Sequence, residues 1–178
     1  MTTNRTHLAL IRRVLKAFLK DWDAHPHRWS REAEVQLELA ARLLREFHKD
    51  GNDVIHERGG KTLNRVTIER PVKGPNGTPI RHDIEILADD GEDSRALWVC
   101  EVKCKPGGYR DPKVGWSQDK DQIRWRLRQR RKGAWYGCCI MLRIGADSPR
   151  LPELNQDWET KTKGRLWLID LATSDDPR

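Results

Sequence analysis

The order of apolar segments in the middle of the chain constrains its fold most. Residues 66–72, 80–87 and 96–103 have strand-like patterns, and the turn-forming sequence Gly-Pro-Asn-Gly-Thr-Pro separates the first two. A helical pattern at about 116–131 then precedes a further apolar strand at 134–144. Three meandering strands followed by a crossover helix and another strand predict a mixed sheet with helices on both faces.

Two amphipathic helices are predicted before these strands. Apolar residues recur at spacings of three and four over about 5–20 and about 31–49. Ser30 is a suitable N-cap for the second helix. The predicted buried stripe of that helix consists of Ala33, Leu37, Ala40, Leu44 and Phe47.

A chain of 178 residues is long enough for one domain with its own core. We expect residues 1–30 to form an accessory helix and connector, residues 31–171 to form the main domain, and residues 172–178 to form a flexible tail. A last strand is predicted at 164–171, and a short helix is predicted at 151–161.

The charge balance favours an anionic partner. The 34 Lys and Arg residues outnumber the 27 Asp and Glu residues, which gives a formal net charge of +7. Nucleic acid is the first candidate for a basic protein of this kind. Basic residues interrupt the apolar residues near the N-terminus, and no apolar run has the length of a membrane span. The sequence therefore predicts a cytoplasmic protein without a membrane association.

The four cysteines lack the paired spacings of zinc ligands. They are Cys100, Cys104, Cys138 and Cys139, and the last two lie in an apolar strand. Buried thiols in a reducing compartment explain this pattern, so neither a disulfide nor a zinc site is predicted.

Three charged residues occur in otherwise apolar strands. Asp83 begins the second strand, and Glu101 and Lys103 lie in the third. Residues two apart in a strand share a face, so Glu101 and Lys103 point to one side, where Asp83 can join them if the strands pair. An exposed ion pair is the alternative, but this strand is apolar and burying both charges in it would be costly. Two carboxylates and a lysine suit a metal-dependent site for phosphodiester cleavage.

This order of elements and acidic residues, over about residues 31–144, resembles the PD-(D/E)XK nuclease superfamily. The resemblance implies an α/β fold with a restriction-endonuclease-like core (α-β-β-β-α-β), in which helices flank a mixed central sheet. An extra N-terminal helix and a C-terminal strand would be additions to that core.

The resemblance also implies a Mg²⁺-dependent nuclease in which Mn²⁺ can substitute. Asp83, Glu101 and the carbonyl of Val102 would be metal ligands, and hard oxygen ligands suit these cations. Lys103 would be the catalytic base or a charge stabiliser. The proline that the family places before the motif aspartate is His82 here, which we predict to face away from the site as a structural residue.

The helix before the strands contributes a glutamate in this family. Glu34 is the favoured candidate, because it lies nearer the predicted buried face than Glu38, one turn away. Gln36 lies nearer still and is an alternative. Glu85, on the same strand face as Asp83, is either a further ligand or a solvated carboxylate at the strand end.

The helix after the third strand carries a glutamine in some branches of the superfamily, and Gln122 matches it. The tyrosine expected four residues later is Arg126. A surface glutamine is the alternative interpretation of Gln122.

Basic residues near these positions are candidates for contact with a phosphate backbone. Three of them share one face of the helix and three lie in the preceding loop, and the alternative for the helix is a solvated face. The six candidates are Arg124, Arg128, Arg131, Lys105, Arg110 and Lys113.

The sequence thus predicts a nuclease, with DNA more favoured than RNA as substrate. A basic nucleic-acid-binding module on the same fold, without catalysis, is the main alternative. A protein-interaction domain with an acidic partner is a third. Endonuclease or exonuclease action is left open, and selectivity is either low or supplied by a homodimer or a protein partner.

Overall fold

The computed structural model describes most of the chain, namely residues 4–29, 31–56, 60–74, 77–88, 95–106, 112–129, 133–144 and 165–173. Within these ranges the α-helices are α1 (Asn4–Ala24), α2 (Glu32–Lys49) and α3 (Pro112–Arg128), with a 3-10 turn at Pro26–Arg28. The strands are β1 (Val54–His56), β2 (Thr62–Asn64), β3 (Val66–Ile68), β4 (Pro71–Lys73), β5 (Pro79–Arg81), β6 (Ile84–Leu87), β7 (Ala96–Pro106), β8 (Ala134–Ile144) and β9 (Leu166–Thr173).

The central sheet has five strands in the order β3-β6-β7-β8-β9. β3, β6 and β7 are antiparallel neighbours, whereas β7, β8 and β9 are parallel neighbours. α3 connects the parallel strands β7 and β8. The predicted α/β class and mixed sheet are therefore confirmed. β1 with β2, and β4 with β5, form separate two-stranded ribbons.

Side chains of β7 alternate between two cores on opposite faces of the sheet. Trp98 belongs to the larger core, which also contains the apolar faces of α1 and α2. Val99 belongs to the smaller core, together with Ile123 of α3. The sheet thus has helices on both faces, as predicted. Glu101 and Lys103 are in phase with Val99 and lie on the α3 face.

Gly137 of β8 allows α3 to pack closely on the sheet. A Cβ atom at this position would lie 2.2 Å from Cγ2 of Ile123 and 3.7 Å from Cδ1 of Leu127. A methyl group would therefore push α3 away from β8.

The first two predicted strands are each divided in the structure. β3 and β4 are separated at Glu69, whose φ of 48° is uncommon for a residue other than glycine. β5 and β6 are separated at His82 and Asp83, and the N–H of Glu69 donates to the carbonyl of His82 at 3.1 Å. Because the two breaks lie opposite each other, the hairpin bends there and β4–β5 leaves the main sheet. Asp83 therefore lies at a bend.

The predicted buried stripe of α2 is wrong at several positions. Leu37 and Leu44 are 59% and 42% exposed, and Ala33 is exposed as well. The buried side chains are those of Val35, Gln36, Leu39, Ala40, Leu43 and Phe47. The helix carries two apolar stripes, and packing against α1 and the sheet selects this one.

Other element boundaries differ from the sequence prediction by a few residues. β7 continues to Pro106 and α3 begins at Pro112, while β9 extends to Thr173 and so includes the start of the predicted tail. The predicted helix at 151–161 and the predicted N-cap Ser30 lie outside the described residues.

The four cysteines are buried, as predicted. Apolar side chains of α1, including Leu15 and Phe18, belong to the same core as those of α2 and the sheet. In the described part of the chain, no helix is both long and apolar enough to cross a membrane.

Candidate active site

Asp83, Glu101 and Lys103 come together where β6 begins beside β7. The N–H of Val102 donates to Oδ2 of Asp83 at 2.6 Å, and the negative charge of Glu101 contributes to the raised pKa of Asp83. Both carboxyl residues are buried, and Lys103 is half-buried on the same strand face as Glu101. The three residues singled out from the sequence thus form one cluster.

The bend in the hairpin explains this arrangement. β6 begins at Ile84, which is paired with Cys100, so the next N–H of β7 toward that edge belongs to Val102. The carboxylate of Asp83 accepts this N–H in place of a strand carbonyl. In a strand, the N–H and C=O of one residue point to the same side, so the carbonyl of Val102 also faces the Asp83 edge.

The ionised form of both carboxyl groups in the cluster is disfavoured. Burial is the main cause that raises the pKa of Asp83 to about 7. The negative charge of Glu101 also raises this pKa, whereas the hydrogen bond from the Val102 N–H lowers it. Burial is also the main cause that raises the pKa of Glu101 to about 8. The negative charge of Asp119 raises this pKa further, whereas the positive charge of Lys103 lowers it. A cation beside the two carboxylates would lower both pKa values.

His82 lies in the cluster, which corrects the sequence prediction that it faces away. Its Nδ1 is 2.7 Å from Oε1 of Glu101, and both side chains are buried. Burial lowers the pKa of His82 to about 4 despite the opposing charge of Glu85, so the contact is a hydrogen bond of a neutral imidazole. The prediction failed because strand alternation does not continue through the bend.

Lys103 is held between two carboxylates that the sequence analysis did not single out. Its Nζ is 3.1 Å from Oε1 of Glu32 and 3.6 Å from Oδ2 of Asp119. Burial opposes the charge of Lys103, but the negative charges of Asp119 and Glu32 outweigh it and hold its pKa above the usual range. Lys103 is therefore an ammonium ion, which favours charge stabilisation over the role of a base.

The carboxylate of α2 that contacts Lys103 is that of Glu32, whereas the sequence favoured Glu34. Oε2 of Glu34 accepts a hydrogen bond from the N–H of Arg31 at 3.2 Å, at the start of α2. The preference for Glu34 followed from the wrong buried stripe. Glu32 lies one turn before Val35 and Gln36, which are buried, and this spacing is the signal that could have identified it.

Asp119 carries a similar signal in α3, because it lies one turn before the buried residue Ile123. Gln122 is half-buried and lies between Asp119 and Arg126 on the helix surface. Gln122 therefore shares a helix face with Asp119, and its part in the site stays a prediction.

Among the described residues, neither alternative to Glu34 forms a hydrogen bond or ion pair with Lys103. Gln36 is buried on the face of α2 that packs on the sheet. Oε1 of Glu38 accepts a hydrogen bond from Nε of Arg42 at 2.7 Å.

Glu85 is not a solvated carboxylate at a strand end, which corrects that alternative. It is 1% exposed and accepts a hydrogen bond from Nη2 of Arg126, which is also 1% exposed, at 2.7 Å. Arg70 lies 4.0 Å from its other oxygen. This buried ion pair joins α3 to β6 beside the candidate site.

The basic residues of α3 do not form one surface. Arg126 is buried, whereas Arg128 is exposed and Arg124 is partly exposed with its guanidinium 2.7 Å from Asp121. Four further candidates lie outside the described part in whole or in their side chains, namely Arg110, Arg131, Lys105 and Lys113.

The donor set suits a cation that needs few protein ligands. Among the described residues, no group of three or more His, Cys, Asp and Glu side chains forms a metal centre by itself. Mg²⁺ keeps several water ligands and is bound through one or two carboxylates, often with substrate phosphates. Asp83 and Glu101, a buried carboxyl pair with raised pKa values, fit that requirement.

Comparison of the chain with protein-family models, with curated proteins and with solved structures finds no match. Function is therefore inferred from the geometry of the site, which places two buried carboxyl groups next to the ammonium of Lys103.

Proposed function

We propose that this protein is a divalent-cation-dependent nuclease of the PD-(D/E)XK type, with a restriction-endonuclease-like core, acting on DNA. The observation that carries the proposal is the buried carboxyl pair of Asp83 and Glu101 beside the ammonium of Lys103. Burying such groups together is costly unless a ligand makes use of them.

The order of elements supports the same proposal. α2, β3, β6, β7, α3 and β8 follow one another as helix, three strands, helix and strand, apart from the small ribbons. The proposal is also supported by Asp83 directly before β6 and by Glu101 and Lys103 in the neighbouring strand β7.

Mg²⁺ or Mn²⁺ would be held by Asp83, Glu101 and the carbonyl of Val102. When bound, such a cation lowers the pKa of water and withdraws charge from a phosphate oxygen. Hydrolysis joins a water oxygen to phosphorus and breaks one P–O ester bond. The attacking water releases one proton to solvent, and the leaving oxygen takes up one proton from solvent. His82 fixes the orientation of Glu101 through the hydrogen bond between them.

Lys103 stabilises the negative charge that grows on the phosphate in the transition state. Glu32 and Asp119 hold its ammonium group in place from α2 and α3. A group oriented in this way before reaction needs little rearrangement in the transition state, so its removal is expected to lower the rate strongly.

The test is incubation of the protein with supercoiled plasmid, linear duplex, single-stranded DNA and RNA, each with Mg²⁺, Mn²⁺ or EDTA. We expect cleavage of DNA with either cation and none in EDTA. Nicking of the plasmid identifies an endonuclease. Lys103→Met and Asp83→Asn are expected to lower the rate by about 100-fold or more, by analogy with removing one transition-state donor.

Lys61→Met is the matched control, because Lys61 is an exposed lysine outside the cluster. Circular dichroism would check that each variant is folded. Undiminished cleavage by Lys103→Met contradicts the proposal. DNA binding by the wild-type protein without cation-dependent cleavage would instead support the inactive binding module.

A further inference from the structure

A basic groove lies between α1 and α2, apart from the candidate active site. It has a volume of about 620 Å³. Five cationic side chains and two carboxylates line it, which is an excess of three positive charges. The cations are those of Arg13, Arg28, Arg42, Arg45 and Lys49.

Ion pairs hold part of this lining in place. Nη2 of Arg13 is 3.0 Å from Oε2 of Glu46, which also pairs with Lys49. Arg42 pairs with Glu38 and with Asp21, each at 2.7 Å. These contacts shape the walls of the groove and neutralise several of its charges.

Two cations of the groove supply most of its positive excess. Among the described residues, Arg28 and Arg45 have no carboxylate partner, and both are exposed. The guanidinium of Arg28 lies over the ring of Trp29, with Cζ 5.2 Å from the ring centroid. Stacking of this kind restricts the guanidinium while leaving its N–H groups available for an anion.

The length of the groove fits a chain of phosphates. Its lining on α2 runs from Glu38 to Lys49, which spans about 16 Å at the rise of an α-helix. One strand of duplex DNA rises about 3.4 Å per nucleotide along the helix axis, so the length of the groove corresponds to the axial rise of about five nucleotides. Its lining is charged apart from Val14 and Ala17, which suits a phosphate backbone better than a base.

The groove also begins close to the candidate site along the same helix. Glu32, which contacts Lys103, precedes Glu38 by six residues, or about 9 Å along α2. We propose that the groove between α1 and α2 binds the phosphodiester backbone of the nucleic acid at a distance from the cleaved bond. The choice of this ligand rests on the proposed nuclease function.

The test measures binding of fluorescently labelled duplex DNA by anisotropy in EDTA, over a range of salt concentrations. Arg28→Gln/Arg45→Gln removes the two unpaired cations of the groove. Lys61→Gln/Lys73→Gln removes the same charge from exposed positions outside it. Each lost phosphate contact is expected to lower the slope of log Kd against log salt by about 0.9.

The groove variant should therefore bind more weakly than the wild type at low salt. Raising the salt from about 50 to about 200 mM should increase the Kd of both proteins, and the fold increase should be roughly ten times smaller for the groove variant. The control variant should keep the wild-type slope. Equal slopes for the wild type and the groove variant, equal losses in both variants, or no binding by the wild type would each overturn the inference. Absence of cleavage in Mg²⁺ would refute the nuclease proposal and leave this binding test valid.

Discussion

Replacing Glu101 with glutamine is expected to stabilise the cation-free protein, and to do so more strongly at alkaline than at acidic pH. The side chain of Glu101 is buried, its ordinary pKa is 4.5, and burial with the charge of Asp119 raises that pKa to about 8. The folded state therefore binds the proton more tightly than the unfolded state does. Stability is lost as pH rises between those two values.

The size of the effect follows from the pKa values. One tenfold change in proton affinity corresponds to about 1.4 kcal/mol, so the raised pKa of Glu101 lowers the stability of the fold by roughly 4 kcal/mol near pH 8 and by roughly 1 kcal/mol near pH 5. Glutamine has nearly the same shape and keeps a hydrogen-bonding group for His82. In a chain of this size the gain near pH 8 corresponds to a rise in Tm of about 10 °C.

The assay is thermal unfolding in EDTA near pH 5, 6, 7 and 8 for the wild type, Glu101→Gln and the control Glu69→Gln. Glu69 is exposed, and its substitution should change stability by about 0.5 kcal/mol or less at every pH. Mg²⁺ should stabilise the wild type and have a smaller effect on Glu101→Gln, because one ligand is lost. A gain that is equal at both ends of the pH range, or a variant less stable than the wild type near pH 8, would refute the reasoning.

Two further predictions concern the packing of α3. Arg126→Met leaves Glu85 as a buried charge and should lower the free energy of unfolding, measured in urea, by about 3–5 kcal/mol. Glu85→Met/Arg126→Met should recover most of this loss. A loss below about 1 kcal/mol in the single variant would contradict the expectation. Gly137→Ala forces a methyl group against Ile123 and should cost about 1–3 kcal/mol in the same assay, and an unchanged midpoint would show that α3 can move freely.

The sequence predicts the strands and the central three residues of the site because their signals are local. Asp83, Glu101 and Lys103 are charged residues in apolar strands, and Glu101 and Lys103 share a face by alternation alone. The order of strands and helices then restricts the topology to a mixed sheet. These features follow from local sequence patterns and from the order of elements, and they depend little on which elements pack together.

The neighbours of that cluster depend on tertiary packing and were not predictable in the same way. α2 has two apolar stripes, and only its contact with α1 and the sheet selects the one that brings Glu32 to Lys103. His82 reaches Glu101 because the chain bends there, and the sequence has no glycine or proline at that position to indicate the bend. Glu85 is buried because Arg126 approaches from α3.

The hydrogen bond between Lys103 and Glu32 has a consequence for the order of folding. It joins residues 71 positions apart, and Asp119 must then arrive from the crossover helix that follows β7. Contacts that close long loops form late, after local turns and hairpins, because chain entropy opposes them. A partly unfolded chain can therefore contain every residue of the cluster without having the assembled cluster.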